Sequence, residues 1–221
     1  MVSVHISQTE TARLIPNMPF APNNIYHLYN QGNNRQPIFL NGKDYITFLN
    51  LYKKLFTPNC STIAWCLMPN HFHFMIHTDE RCDVKIKQGG IYLDPITNSI
   101  RKLLSGYARI FNTQYQQTGS VFRQKTKAKC LSAIEIKPNS SYMVQDYYVN
   151  CFHYIHQNPL VAQLTQQLED WEFSSFQDYA KIRSGTLCQK ELAILHCGYN
   201  PDTFIEKSHE LADEKLIKHF T

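Results

Sequence analysis

Residues 65–77 read WCLMPNHFHFMIH, and within that run His71 and His73 stand two apart around Phe72. On a β-strand successive side chains alternate between faces, so both imidazoles would project one way while Phe72 turns to the other. Two convergent neutral imidazoles form a ligand pair for a divalent metal. A second pair lies in YIHQNPL, where Tyr154 and Asn158 are four residues apart and would share one face of a helix. A phenol can act as a nucleophile, and an amide oxygen can be a hard ligand for a small divalent cation. With ten histidines and 13 tyrosines in the chain, neither pair is specific alone, and Tyr147 and His156 compete with Tyr154 on local grounds. His156, two residues from Tyr154, falls on the opposite side of the helix and is not assigned as its base.

A third feature is charge. From Pro95 to Ile134 there are seven basic residues and no acidic one. Arg123, Lys125, Lys127 and Lys129 alternate with Gln124, Thr126 and Ala128. On an extended strand all four cations would face one side, roughly 6–7 Å apart, close to the phosphate repeat of a nucleic-acid backbone. Arg101, Lys102 and Arg109 add charge from the preceding segment, and Arg35 adds it from the turn after the first strand. Lysines on an edge strand also deter aggregation. Four like charges in line repel one another, however, so a phosphate-tracking strip is the better reading, and it predicts salt-sensitive binding.

The elements that must position these groups are legible in the apolar pattern. Asn24 to Gln31 reads as a strand with Tyr26, Leu28 and Asn30 on one face, closed by Gly32-Asn33-Asn34. Asn41 can cap a helix in which Tyr45, Phe48, Leu49, Tyr52 and Leu55 recur at helical spacing until Pro58. Ile63–Met68 and Phe72–His77 read as antiparallel strands joined at Met68-Pro69-Asn70. A looser insertion, Arg81 to Pro95, contains Gly89-Gly90. An amphipathic helix follows from Ile96 to about Tyr115, then a strand from Ser120 to Leu131 and a helix from Tyr142 to Asn158 ended by Pro159. This order predicts an α+β fold of ferredoxin-like, split βαβ type: an antiparallel sheet with helices packed on one face. Residues 1–22 read as a loose leader, 23–170 as one domain and 171–221 as a C-terminal helical extension.

Composition bounds the function class. A chain of 221 residues with 43% hydrophobic content can bury a full core, and a net charge of +4 permits a nucleic-acid partner without requiring one. Seven cysteines, at 60, 66, 82, 130, 151, 188 and 197, include no Cys-x-x-Cys, which argues against a disulfide framework and a zinc knuckle. No apolar run approaches membrane-spanning length, and MVSVHISQTE has neither a basic start nor a long apolar core, so a soluble cytoplasmic protein is expected. A Gly-rich Lys-Ser/Thr phosphate loop is absent, consistent with chemistry that needs no nucleotide triphosphate.

Taken together, MPNHFHFMIH resembles the two-histidine signature of the HUH-superfamily single-tyrosine transposases, and YIHQNPLVA resembles the tyrosine helix of their REP-associated (RAYT) branch. NQGNNRQPIF, GSVFRQKTKAK and DWEFSSFQDY have counterparts there, in order, over residues 24–185. Gln31 stands where many members have an arginine, and Gln163 where a glycine commonly closes the tyrosine helix. The resemblance implies a sheet of about five strands and a catalytic domain in which His71, His73 and Asn158 bind Mg²⁺ or Mn²⁺ while Tyr154 is the nucleophile. It implies single-stranded DNA beside palindromic hairpins as partner, and metal-assisted transesterification giving a 5′-phosphotyrosine and a free 3′-OH. A monomer or homodimer is expected. Three rival readings remain: a domesticated hairpin-binding protein without mobilising activity, an RNA-binding module stacking bases on Phe74 and Phe122, and a hydrolytic metalloenzyme using Asp79 and Glu80.

Overall fold

The computed structural model describes residues 20–88, 90–136, 139–210 and 212–219; the expected leader lies, through residue 19, outside them. Alternating apolar runs form β1 (Ile25–Gln31), β2 (Ser61–Met68) and β3 (His71–His77), with α1 (Gly42–Phe56) between the first two. The Arg81–Pro95 segment folds into a separate ribbon, β4 (Ile86–Gln88) and β5 (Ile91–Leu93), turned with Gly90 at φ 84°. α2 (Pro95–Gln114) leads to β6 (Lys127–Cys130). The main sheet is antiparallel throughout, in the order β2-β3-β1-β6. Among the described residues it has four strands rather than about five.

Two boundaries differ from expectation. The strand expected from Ser120 begins only at Lys127. Before it the chain is held at the end of β1 by an isolated bridge in place of a continuous ladder, with Gly32 opposite Phe122 and Arg123 N–H donating to Gln31 O (2.9 Å), and by the Asn30 amide, which donates to the Arg123 carbonyl (3.2 Å) and to Thr126 Oγ1 (2.9 Å). α3 (Val144–Val161) does not end at Pro159 but runs through it. Proline so near a C-terminus removes one intrahelical bond, and Ala162 N–H still closes the last turn on the Asn158 carbonyl (2.9 Å).

Helices were expected on one face of the sheet and are found on both. Tyr26, Leu28, Trp65, Leu67, Phe72, Phe74 and Ile76 face α1 and α2, whose Phe48, Tyr52, Phe56, Leu103 and Tyr107 complete one core. Ile25, Ile63, Cys66, Met68 and Met75 face α3, whose Tyr147, Cys151, Phe152 and Ile155 complete a second. The reason is visible in β2, where every residue from Thr62 to Met68 is buried, so neither face of that strand can be left to water. α1 begins where expected: Asn41 Oδ1 accepts from Lys43 N–H and Asp44 N–H, and Asp44 reaches back to the Asn41 N–H.

The chain after Trp171 is built into the sheet. It runs along the outer edge of β2, where Leu67 N–H donates to Phe173 O (2.8 Å), Ser175 N–H to Trp65 O (2.9 Å) and Gln189 N–H to Thr62 O (2.8 Å). The short helices α4 (Phe176–Tyr179), α5 (Lys190–Cys197), α6 (Phe204–His209) and α7 (Glu214–Ile217) pack Phe176, Tyr179, Ala193, Phe204 and Leu216 into the second core. No helix among the described residues is long and apolar enough to cross a membrane.

Candidate active site

Directly paired residues in antiparallel strands share a face. Tyr29 therefore stands between His73 on β3 and Lys127 on β6, Gln31 stands opposite His71, and His27 stands between Met75 and Lys129. This is the sheet face that α3 covers. On α3, Tyr147, Cys151, Tyr154 and Asn158 follow one stripe at helical spacing. The first two are buried in the second core, and the stripe then passes over the histidines. There the Tyr154 ring lies edge-on to His73, with centroids 5.6 Å apart, and edge-on to His27 at 6.1 Å. A cavity of about 250 Å³ opens among Tyr29, Gln31, His71, His73 and Tyr154, and Arg123 and Lys127 supply its charge.

Each imidazole is oriented through Nδ1. His71 Nδ1 is 2.6 Å from Asn70 Oδ1, and the Asn70 amide N–H donates to the Arg35 carbonyl (3.2 Å), which fixes the amide so that its oxygen faces the ring. An amide oxygen only accepts, so His71 Nδ1 carries the proton and Nε2 keeps its lone pair. Gly32 permits this turn: its N–H donates to Asn70 O (2.7 Å), and a Cβ there would collide with the Gln36 carbonyl oxygen. His73 Nδ1 bonds His27 Nε2 at 2.9 Å, while His73 Nε2 is buried without any partner. Burial pushes the pKa of His71 below the ordinary imidazole range, with Asn158 opposing. It pushes His73 well below, and the neighbouring His27 and His71 rings add to the effect. Both rings are thus neutral at pH 7, the form that ligates metals.

Asn158 donates its amide N–H to the Tyr154 carbonyl at 2.8 Å and lies against both the His71 ring and the Tyr154 phenol. Burial raises the Tyr154 pKa to about 12, and the Asn158 amide pulls the other way. Among the described residues no group of three His, Cys, Asp or Glu is arranged to hold a metal, so a cation at the histidine pair needs a ligand of another type. The Asn158 amide oxygen could answer that need, and His73 Nε2, buried with no hydrogen-bond partner, is the ring atom open to a Lewis acid. The donor set fits a small divalent cation.

The structure brings His71, His73, Tyr154, Asn158, Arg123 and Lys127 together. Lys129 continues the same face one cross-strand row away, Lys125 is exposed in the loop before β6, and Arg35 is exposed in the loop that Asn70 anchors. Arg101, Lys102 and Arg109 are not brought to this cavity: they lie on α2, against the opposite face of the sheet. Arg101 and Lys102 border a separate surface cleft with Asn98 and Ser105. Tyr147 is buried away from the cavity, beside His219. His156 is enclosed in the second core, with Nε2 2.7 Å from Ser175 Oγ. Sequence reasoning missed His27 and Tyr29, although the alternation that put Tyr26, Leu28 and Asn30 on one face puts these two on the other.

A larger cleft, about 520 Å³, lies on another flank of α3. It is lined by Asp146, His153, Lys207, Glu210 and Asp213, mixed charges with no paired histidines. Chemistry therefore favours the smaller cavity.

No protein-family description and no curated protein matches the chain. Among solved structures it is similar to a REP-associated tyrosine transposase bound to a REP hairpin, with a TM-score of 0.50 and 14% sequence identity over 79% of this chain and 93% of that one. At that identity the likeness is one of fold: an antiparallel sheet with helices, in an α+β arrangement.

Proposed function

We propose that this protein is a single-stranded-DNA transposase or endonuclease of the HUH tyrosine type, acting in the cytoplasm beside DNA hairpins. The observation that carries the reading is the buried, unpartnered Nε2 of His73, set with His71 and Asn158 next to the Tyr154 phenol. The strand order, with β1 central and β6 and β2 at the edges, supports the split βαβ reading of the fold, and the likeness to a hairpin-bound transposase supports the partner.

His71, His73 and Asn158 would hold Mg²⁺ or Mn²⁺, which when bound supplies charge to polarise the scissile phosphate. Tyr154 Oη attacks the phosphorus, the bond from phosphorus to the 3′ oxygen breaks, and the phenolic proton ends on that departing oxygen. The products are a 5′-phosphotyrosine and a free 3′-OH, and attack by another 3′-OH reverses the step and joins strands. Arg123, Lys127 and Lys129 hold the phosphates on either side. The rival chemistries find less support. Phe74 and Phe122, which base stacking would require at the surface, are buried, and Asp79 is paired with Arg81 (2.6 Å) beyond the far end of β3 from His71.

The deciding experiment incubates labelled hairpin DNA with the protein and Mg²⁺, Mn²⁺ or EDTA and resolves the products on a denaturing gel. A metal-dependent covalent adduct, absent with Tyr154→Phe, is expected. Salt-sensitive binding with no adduct from either protein would instead favour a hairpin-binding protein without mobilising activity. Salt dependence also tests the strip. Lys127→Ala or Arg123→Ala should each reduce the slope of log K against log salt by about 0.7 on single-stranded DNA, while Arg109→Ala, on the other face, leaves it unchanged. Fluorescence anisotropy across a salt series measures this, and equal slopes for all three variants would remove the β6 face as the phosphate track.

A further inference from the structure

His27 has no part in the sequence signatures, yet it is completely buried and its Nε2 bonds the His73 ring at Nδ1, 2.9 Å away. Two imidazole nitrogens at that distance share one proton, which leaves two arrangements. If His27 Nε2 donates, His73 Nδ1 accepts and the proton of His73 sits on Nε2, where it is a buried N–H with no acceptor and cannot ligate. If His73 Nδ1 donates, His27 Nε2 accepts and the free lone pair of His73 points from Nε2. Only the second arrangement is compatible with a cation, and it mirrors His71, whose Nδ1 proton is taken by Asn70 Oδ1.

We infer that His27 is a positioning residue for the cation site: held as the Nδ1–H tautomer, it accepts the Nδ1 proton of His73 and so fixes His73 Nε2 as the ligand. The inference rests on the metal reading above and adds a residue to it. A metal-bound histidine commonly gives its second N–H to a carboxylate or carbonyl, which orients the ring and raises its basicity. Here a third imidazole takes that role. It reaches His73 from β1, two residues along from Tyr29, the residue directly paired with His73. The His27 and His73 ring planes are nearly parallel, 13° apart with centroids at 5.0 Å. Tyr29 stacks on His27 at 4.8 Å and holds it in that attitude.

The test measures Mn²⁺ binding by calorimetry for the wild-type chain, His27→Phe and His27→Gln. Phenylalanine keeps the ring but offers no acceptor, and its Mn²⁺ affinity should fall about 10- to 100-fold. Glutamine offers an amide oxygen and should recover most of that loss, which a purely packing role for His27 would not produce. Wild-type affinity in His27→Phe, or glutamine binding as weakly as phenylalanine, overturns the inference while leaving the metal site standing. No Mn²⁺ uptake by the wild-type chain removes the metal reading and the inference together. Should His27→Phe fail to fold, ¹⁵N NMR of the wild-type chain loaded with diamagnetic Zn²⁺ decides: His27 with its proton on Nδ1 supports the assignment, and His27 protonated at Nε2 refutes it.

Discussion

On the proposed reading, DNA strand cleavage is expected to accelerate about tenfold per pH unit between about pH 6.5 and 8.5, because the attacking species would be the minor, deprotonated form of the Tyr154 phenol. Burial raises the Tyr154 pKa to about 12. At pH 7 only about one phenol in 10⁵ is then ionised, and each unit of pH multiplies that fraction by ten. The sign follows from the direction of the shift: a raised pKa keeps the proton on, so activity is lost as pH falls and gained as it rises. His71 and His73 contribute nothing to the slope in this window, since burial has pushed both below the ordinary imidazole range and they are already neutral. A cation held by His71, His73 and Asn158 would supply positive charge that favours the phenolate, and the pH at which the profile bends would measure by how much. Tyr154→Phe should remove cleavage altogether, a loss on the order of 10⁶-fold where a nucleophile is deleted, while hairpin affinity is retained. Single-turnover cleavage across the pH range is the measurement. A flat profile with an active wild-type chain would mean that phenol deprotonation does not limit the reaction.

Phe74→Ala is expected to lower the unfolding free energy by about 3–5 kcal/mol. Phe74 is wholly buried and lies flat on Tyr52, with ring centroids 3.7 Å apart and planes 6° apart. Tyr52 in turn bonds Thr62 Oγ1 through its hydroxyl at 2.9 Å, so this stack joins α1, β3 and β2 at one point. Truncation leaves a cavity that these rigid aromatic neighbours cannot fill. Against a typical total of about 5–15 kcal/mol, that is a large fraction of stability. Denaturant unfolding should show a lower midpoint with an unchanged slope. A cost below about 1 kcal/mol would mean that the β3 face opposite His71 and His73 is not tightly packed.

Much of the frame was legible because its signals are local. Alternation in STIAWCLM and HFHFMIH, the Pro69-Asn70 turn and the Asn41 cap are each fixed by neighbours in sequence, and β2, β3 and α1 appear where those signals place them. The errors arose where a distant partner decides. Helices on both faces follow from β2 being apolar on both sides, a pattern that does not by itself say which helix covers which side. Pro159 lies within one turn of the helix end, where the usual helix-breaking effect of proline is weak. The cationic register was legible at Lys127 and Lys129, where a ladder forms, and not at Arg123 and Lys125, where an isolated Gly32–Phe122 bridge, one Arg123 N–H bond to Gln31 O and the Asn30 side chain replace it. His71 and His73 drew attention through their spacing. His27, 46 residues from the ring it touches, had no such local mark.

The edge of β2 is closed by chain made much later: Ser175 meets Trp65 across a separation of 110 residues. Contacts so distant in sequence are slow to form, because loop closure must come before any compensating contact. During synthesis the sheet hairpin of β2 and β3 is therefore complete well before its outer edge is covered, and it presents unpaired backbone groups on an apolar strand for that interval. The nascent protein is most exposed to mispairing with another copy of itself between the emergence of Met68 and that of Ser175, which makes the rate of elongation through residues 70–175 a determinant of its yield.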